Sequence, residues 1–119
     1  MRLDRFTIKS QEAINDAQHA AEASAHQEVS VEHLLGVLLR QEGGITAPIL
    51  ERIGASPVLI AKQVEEIISR RPKVHGAGEV YISPRLKGVL EAAVKEAREM
   101  KDDFVSVEHL LIAIVSEKG

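Results

Sequence analysis

The heptapeptide VSVEHLL occurs twice in this chain, at residues 29–35 and again, 76 residues later, at residues 105–111. Applying the same offset without a gap aligns residues 7–43 with residues 83–119, and ten of these 37 aligned pairs are identical. Unrelated sequences would share only about one pair in twenty, so the sequence indicates an internal duplication.

Each copy has the pattern of two helices joined by a short loop. Ser30 and Ser106 are suited to cap the second helix of each copy, because a serine hydroxyl can accept a hydrogen bond from a free backbone N–H. Glu32 and Glu108 would then lie in the first turn, where the helix dipole favours a carboxylate. Apolar residues on one face predict the first helix of each copy, namely Ile14, Ala17 and Ala21, and Leu86, Val89, Leu90, Ala93, Val94 and Ala97.

Two further helices are predicted between the copies. The first is short, around residues 47–53, and the second begins after Ser56 and stops at the Arg71-Pro72 step. The longer helix carries an apolar stripe that we expect to be buried, formed by Ile60, Val64, Ile67 and Ile68.

The chain therefore divides into a first four-helix repeat, residues 1–71, a linker, residues 72–82, and the first two helices of a second repeat, residues 83–119. We expect an all-α fold built from a pseudo-two-fold duplicated helical repeat whose second repeat is truncated. The shorter second copy also leads us to expect that this is a fragment of a longer protein.

Composition narrows the classes of function. A net charge of −3, a 3% aromatic content and the absence of cysteine argue against nucleic-acid binding, disulfides and thiolate catalysis. No stretch has the length of a membrane span and the start of the chain lacks an apolar signal core, so we expect a cytoplasmic protein that contacts no membrane.

The sequence predicts neither an enzyme nor a metal site. No G-x-x-x-x-G-K-[ST] or G-x-S-x-G motif is present. His33 and His109 occupy equivalent positions without the spacing of a zinc site, and we expect them to be structural partners of loop carbonyls or of the preceding helix. His19, His26 and His75 are expected to be exposed.

The opening MRLDRFTIKSQEAI, the paired VSVEHLL, the QEGG turn and the segment RPKVHGAG together resemble the N-terminal domain of the Clp AAA+ chaperones. The opening and the linker are most similar to the ClpB disaggregases. The resemblance implies an all-helical domain without a cofactor of its own, tethered to ATPase modules that bind ATP and Mg²⁺ in a homohexamer. It also implies a stress-response role: capture of unfolded or aggregated polypeptides, in cooperation with an Hsp70-type chaperone system.

The resemblance also implies site residues. Thr7, Asp102 and Glu108 match positions that handle substrate in the family, with Asp103 as the alternative register for Asp102. Leu90 and His109 are further candidates for an apolar groove between the repeats. Thr7 and the two aspartates also have structural alternatives, Thr7 as a helix cap and the aspartates as a solvated loop.

Three alternative functions stay open. In ClpC relatives the glutamate of each repeat engages phosphoarginine, which would give Glu32 and Glu108 that role. The domain could instead dock a folded adaptor protein, or be a DNA-binding helix-turn-helix module. The acidic balance and the lack of a basic recognition helix count against the last of these.

Overall fold

The computed structural model describes residues 3–41, 43–74 and 80–117. These ranges contain six helices and two short strands, and none of the described helices is long and apolar enough to cross a bilayer. In chain order the elements are α1 (Ile8–Ala23), β1 (Glu28–Val29), α2 (Val31–Arg40), α3 (Thr46–Arg52), α4 (Pro57–Ser69), β2 (Tyr81–Ile82), α5 (Pro84–Glu99) and α6 (Val107–Ser116).

The duplication in the sequence is also a duplication in the structure. Helices α5 and α6 begin and end 76 residues after α1 and α2, at equivalent positions at all four ends. The loops match as well, because Ala25 and Lys101 both adopt the left-handed conformation, with φ of 60° and 59°. The predicted all-α duplicated repeat is thereby confirmed, and the two repeats share their local geometry down to single residues.

The two repeats exchange backbone hydrogen bonds. The Thr7 N–H donates to the Val105 carbonyl at 2.9 Å, and the equivalent Ser83 N–H donates to the Val29 carbonyl at 3.0 Å. Strands β1 and β2 pair in parallel, and Phe6 makes the corresponding parallel bridge to Val105. Each repeat therefore supplies the segment before its first helix to the other repeat, which gives the molecule a pseudo-two-fold axis.

One core lies between the repeats. Helix α1 packs on α2, α5 packs on α6, and α4 covers the other side of α2. The largest side chains that are almost wholly buried are leucines from both halves, Leu34, Leu38, Leu86, Leu90 and Leu110. Because these leucines belong to a single cluster, the halves stabilise each other.

One expectation about the middle of the chain needs correction. In α4 only Val64 is buried, and the side chain of Ile67 is 44% exposed, because α4 packs on α2 along a narrow stripe. At the end of the expected linker, Tyr81 and Ile82 form β2 against β1. The middle of the linker, including His75, lies outside the described residues.

Candidate functional site

An apolar groove of about 420 Å³ lies where the two repeats meet. It is bounded by the start of α1, the residues after α2 and the start of α6. Its most exposed apolar side chain is Ile8, at 75%, whereas Val107 is buried and Ile45 half-buried. The residues that line it are Thr7, Ile8, Lys9, Gln41, Gly43, Gly44, Ile45, Ser106, Val107 and Glu108.

Polar groups fix the rim of the groove. The Thr7 hydroxyl oxygen accepts from the Ser10 N–H at 3.2 Å and donates to the Ser10 hydroxyl at 2.9 Å, which caps α1. The Gln41 side-chain amide donates to the Lys9 carbonyl at 3.0 Å and so ties the end of α2 to the start of α1. Glu108 is exposed, and within the described ranges it makes no ion pair.

The two histidines of the duplicated motif act as helix caps. The Ser30 N–H donates to His33 Nδ1 at 2.9 Å, and the Ser106 N–H donates to His109 Nδ1 at 2.8 Å. Because Nδ1 accepts in both rings, the proton of each neutral ring lies on Nε2. The expected partners, loop carbonyls or the preceding helix, are thus replaced by the backbone amide of each histidine's own cap residue.

The second ring nitrogen of each histidine meets the residue seven positions earlier. His109 Nε2 donates to Asp102 Oδ2 at 2.8 Å, and His33 Nε2 donates to His26 Nδ1 at 3.0 Å. His26 and Asp102 are themselves related by the 76-residue offset. The expectation that His26 is exposed is wrong, because His26 is buried as the partner of His33.

Burial keeps the histidine pair neutral. The pKa of His33 is lowered to about 4, first by burial and then by the nearby His26 and Arg71. Burial likewise lowers the pKa of His26, and the positive charge of Arg71 adds to the effect. A protonated His33 would also turn Nδ1 into a donor facing the Ser30 N–H, which the geometry does not allow.

The predicted site residues fall into separate places. Thr7 and Glu108 both line the groove. Asp102 and Asp103 lie in another depression, beside Arg5, where Asp102 holds His109.

Leu90 and His109 are not groove surfaces. Leu90 is 0% exposed and belongs to the core, and His109 is 3% exposed and serves as a cap. Neither side chain is available to a ligand in this conformation, because both are buried. Sequence reasoning missed Ile8, Gln41 and Ile45, which the fold brings together without a local motif.

Glu32 differs from its equivalent Glu108. Its carboxylate accepts from Arg71 and, at 2.9 Å, from Arg85 Nη1, while Arg85 Nη2 also donates to Glu117 at 2.6 Å. The Glu32 side chain is only 12% exposed. Its place in the first turn of α2 confirms the expected helix-dipole position, and the two arginines neutralise it.

The comparisons with known proteins agree with this architecture. The sequence pattern of the Clp repeat (R) N-terminal domain matches residues 5–119, and the chain belongs to that family. The chaperone protein ClpB of Nitratidesulfovibrio vulgaris is 40% identical over 121 residues, which cover 98% of this chain. ClpB of Bacillus anthracis is 40% identical over 123 residues and matches the whole chain. In both cases the chain spans 14% of the relative's length.

Solved structures show the same fold. The Hsp104 N-terminal domain from Candida albicans superposes with a TM-score of 0.84 at 21% identity, covering 95% of this chain and 75% of that one. The N-domain of ClpV in its complex with a VipB peptide superposes with a TM-score of 0.84 at 20% identity, covering 98% of this chain and 74% of that one.

Proposed function

We propose that this chain is the polypeptide-capturing N-terminal domain of an ATP-dependent disaggregase that works in the cytoplasm. Its ClpB relatives are chaperones, and this chain corresponds to 14% of their length. The ATPase modules of the parent protein would bind ATP and Mg²⁺, assemble as a homohexamer and cooperate with an Hsp70-type system. The domain itself would hold an unfolded segment and release it to the central pore.

The observation that supports this proposal is the apolar groove between the repeats. Ile8 exposes a large apolar side chain at its edge, and Glu108 places a negative charge at the start of α6. Unfolded chains display apolar side chains beside lysine or arginine, a combination that suits this pairing. Glu32 shows that a glutamate at this position of the repeat accepts guanidinium groups.

Binding at such a groove should be weak. Burying one apolar side chain contributes about 1.5–3 kcal/mol, and ordering the bound segment removes much of that gain. The dissociation constant would then lie in the range of about micromolar to millimolar. Six tethered copies in a hexamer would restore avidity while each domain releases its segment easily. The ClpV neighbour, whose N-domain was solved with a VipB peptide, is a fold relative that binds peptide.

An NMR titration tests the proposal. Adding a permanently unfolded polypeptide to the ¹⁵N-labelled domain should shift the amides of Thr7, Ile8, Val107 and Glu108. Replacing Ile8 by alanine should weaken binding by about threefold to tenfold, because the groove loses its most exposed apolar surface. The matched control is Ile53→Ala, since Ile53 is 70% exposed and does not line the groove. Equal effects of the two substitutions would contradict the proposal.

The same titration separates the alternatives. A phosphoarginine peptide that binds more tightly than its unphosphorylated form, and that loses this preference in Glu108→Gln, would favour the phosphoarginine function. Shifts centred on Asp102 and Asp103 would move the site to the other depression. Binding of a folded adaptor without binding of unfolded chains would favour the docking function.

A further inference from the structure

The pseudo-two-fold symmetry gives the groove a counterpart at the starts of α5 and α2. The 76-residue offset relates Thr7 to Ser83, Lys9 to Arg85, Gln41 to Glu117, Ser106 to Ser30 and Glu108 to Glu32. On the groove side the serine and threonine are half-buried and the glutamate is exposed. On the counterpart side all three are buried, namely Ser83 at 6%, Ser30 at 3% and Glu32 at 9% exposed.

Ion pairs cover the counterpart. Arg85 uses Nη1 to donate to Glu32 at 2.9 Å, and Nε and Nη2 to donate to Glu117 at 3.1 and 2.6 Å. A second guanidinium, from Arg71, donates to the other oxygen of Glu32. The carboxylate whose equivalent stands exposed at the groove is thus covered by two arginines of the chain itself.

Two residue differences separate the groove side from its counterpart, where Arg71 also covers the glutamate. Lys9 replaces Arg85, and an ammonium group lacks the planar fork with which a guanidinium bridges two carboxylates. Gln41 replaces Glu117, so one of those carboxylates is missing, and the Gln41 amide donates to the Lys9 carbonyl instead. Across the described ranges, no ion pair joins Lys9 to Glu108.

We infer that the domain holds one polypeptide segment rather than two, because Arg71, Arg85 and Glu117 close a latent second site around Glu32. This inference rests on the proposed function. The latent site would take the arginine of an extended segment, because Glu32 already accepts guanidinium groups. Arg85 and Glu117 therefore set the number of segments that each domain binds.

Exchanging residues between the two sides tests the inference. An opened variant, Arg71→Gln with Arg85→Lys and Glu117→Gln, copies the open side onto the counterpart. A closed variant, Lys9→Arg with Gln41→Glu, copies the ion pairs onto the groove. The probe is a capped peptide with one arginine between leucines, and the readout is the set of amide shifts in the ¹⁵N-labelled domain.

We expect the wild type to show shifts at Thr7 and Glu108 alone. The opened variant should add a second set at Ser30, Glu32 and Ser83. The closed variant should bind about tenfold more weakly at the groove, the effect of losing one charge-assisted hydrogen bond.

Several outcomes would overturn the inference. One is wild-type shifts at both places, and another is a folded opened variant that responds only at the groove. If the opened variant does not fold, unchanged affinity of the closed variant overturns the inference. Absence of any shift at Thr7 and Glu108 would instead contradict the proposed function, and the response at Glu32 in the opened variant would still show whether Arg85 closes that site.

Discussion

At the scale of single residues, the two copies of the heptapeptide lie in different environments. Both copies of the heptapeptide cap a helix with a serine and a histidine that accepts from the serine's own N–H. The partner of that histidine is His26 in the first repeat and Asp102 in the second. The first repeat therefore buries two neutral rings, whereas the second places a carboxylate at the surface.

The buried pair predicts acid sensitivity. Unfolded, His33 would titrate near its usual pKa of 6.5, whereas in the folded protein its pKa is about 4. Between these values the unfolded state binds a proton that the native state does not. The contribution of neutral His33 to the free energy of unfolding is therefore complete above about pH 6.5. It is lost as the pH falls to about 4, a loss of about 3 kcal/mol.

Urea unfolding at a series of pH values measures this loss. Replacing His33 by glutamine should reduce the fall in the free energy of unfolding at acid pH. Glutamine at this position can still accept from the Ser30 N–H, but it does not titrate. His19→Gln is the matched control substitution, since His19 is exposed on α1. If the free energy of unfolding of His33→Gln falls at acid pH as much as that of the wild type, other groups cause the loss.

At the scale of elements, local sequence signals predict where the helices begin. Ser56 and Ser83 cap α4 and α5, and each is followed by proline at the first helical position. These signals act over three or four residues and can be found without the fold. The exposure of Ile67 could not be predicted in this way, because it depends on how much of α4 the distant α2 covers.

Two glycines provide an element-scale prediction. Gly88 lies within α5, and a Cβ there would meet open space. Gly88→Ala should raise the free energy of unfolding by about 0.5–1 kcal/mol, because alanine loses less backbone entropy in a helix.

The contrasting substitution is Gly54→Ala. Gly54 follows α3 with a φ of +84°, a conformation that alanine adopts only with strain. This variant should lose about 1 kcal/mol. Thermal unfolding followed by circular dichroism measures both effects, and stabilisation by both substitutions would contradict this assignment of roles.

At the scale of the whole molecule, ion pairs between residues distant in sequence determine which side chains are covered, and the sequence alone does not predict them. Arg71 and Arg85 reach Glu32 across 39 and 53 residues of sequence, so no local pattern predicts that Glu32 is covered. Thr7 and Glu108 both line the groove, and their role in substrate handling stays a prediction from the family resemblance. Leu90 lies in the core, as its place on the apolar face of the helix indicated, and does not line the groove.

The shared core predicts cooperative unfolding. Leu90→Ala should lower the free energy of unfolding by about 2–5 kcal/mol, because it leaves a cavity in the cluster common to both repeats. NMR signals from α1 and from α6 should then disappear at the same urea concentration. Separate midpoints would mean that the repeats are independent units. Ala92→Gly, on the exposed side of α5, is the control and should cost about 1 kcal/mol.

The reciprocal bonds from Thr7 to Val105 and from Ser83 to Val29 have one more consequence. In each repeat the segment before the first helix pairs with the segment before the second helix of the other repeat. A solitary repeat would leave the backbone groups of both segments without these hydrogen bonds, whereas two separate repeats could supply them to each other. The repeat is thus a self-complementary half, and the peptide connection between the halves raises their local concentration without creating the fit.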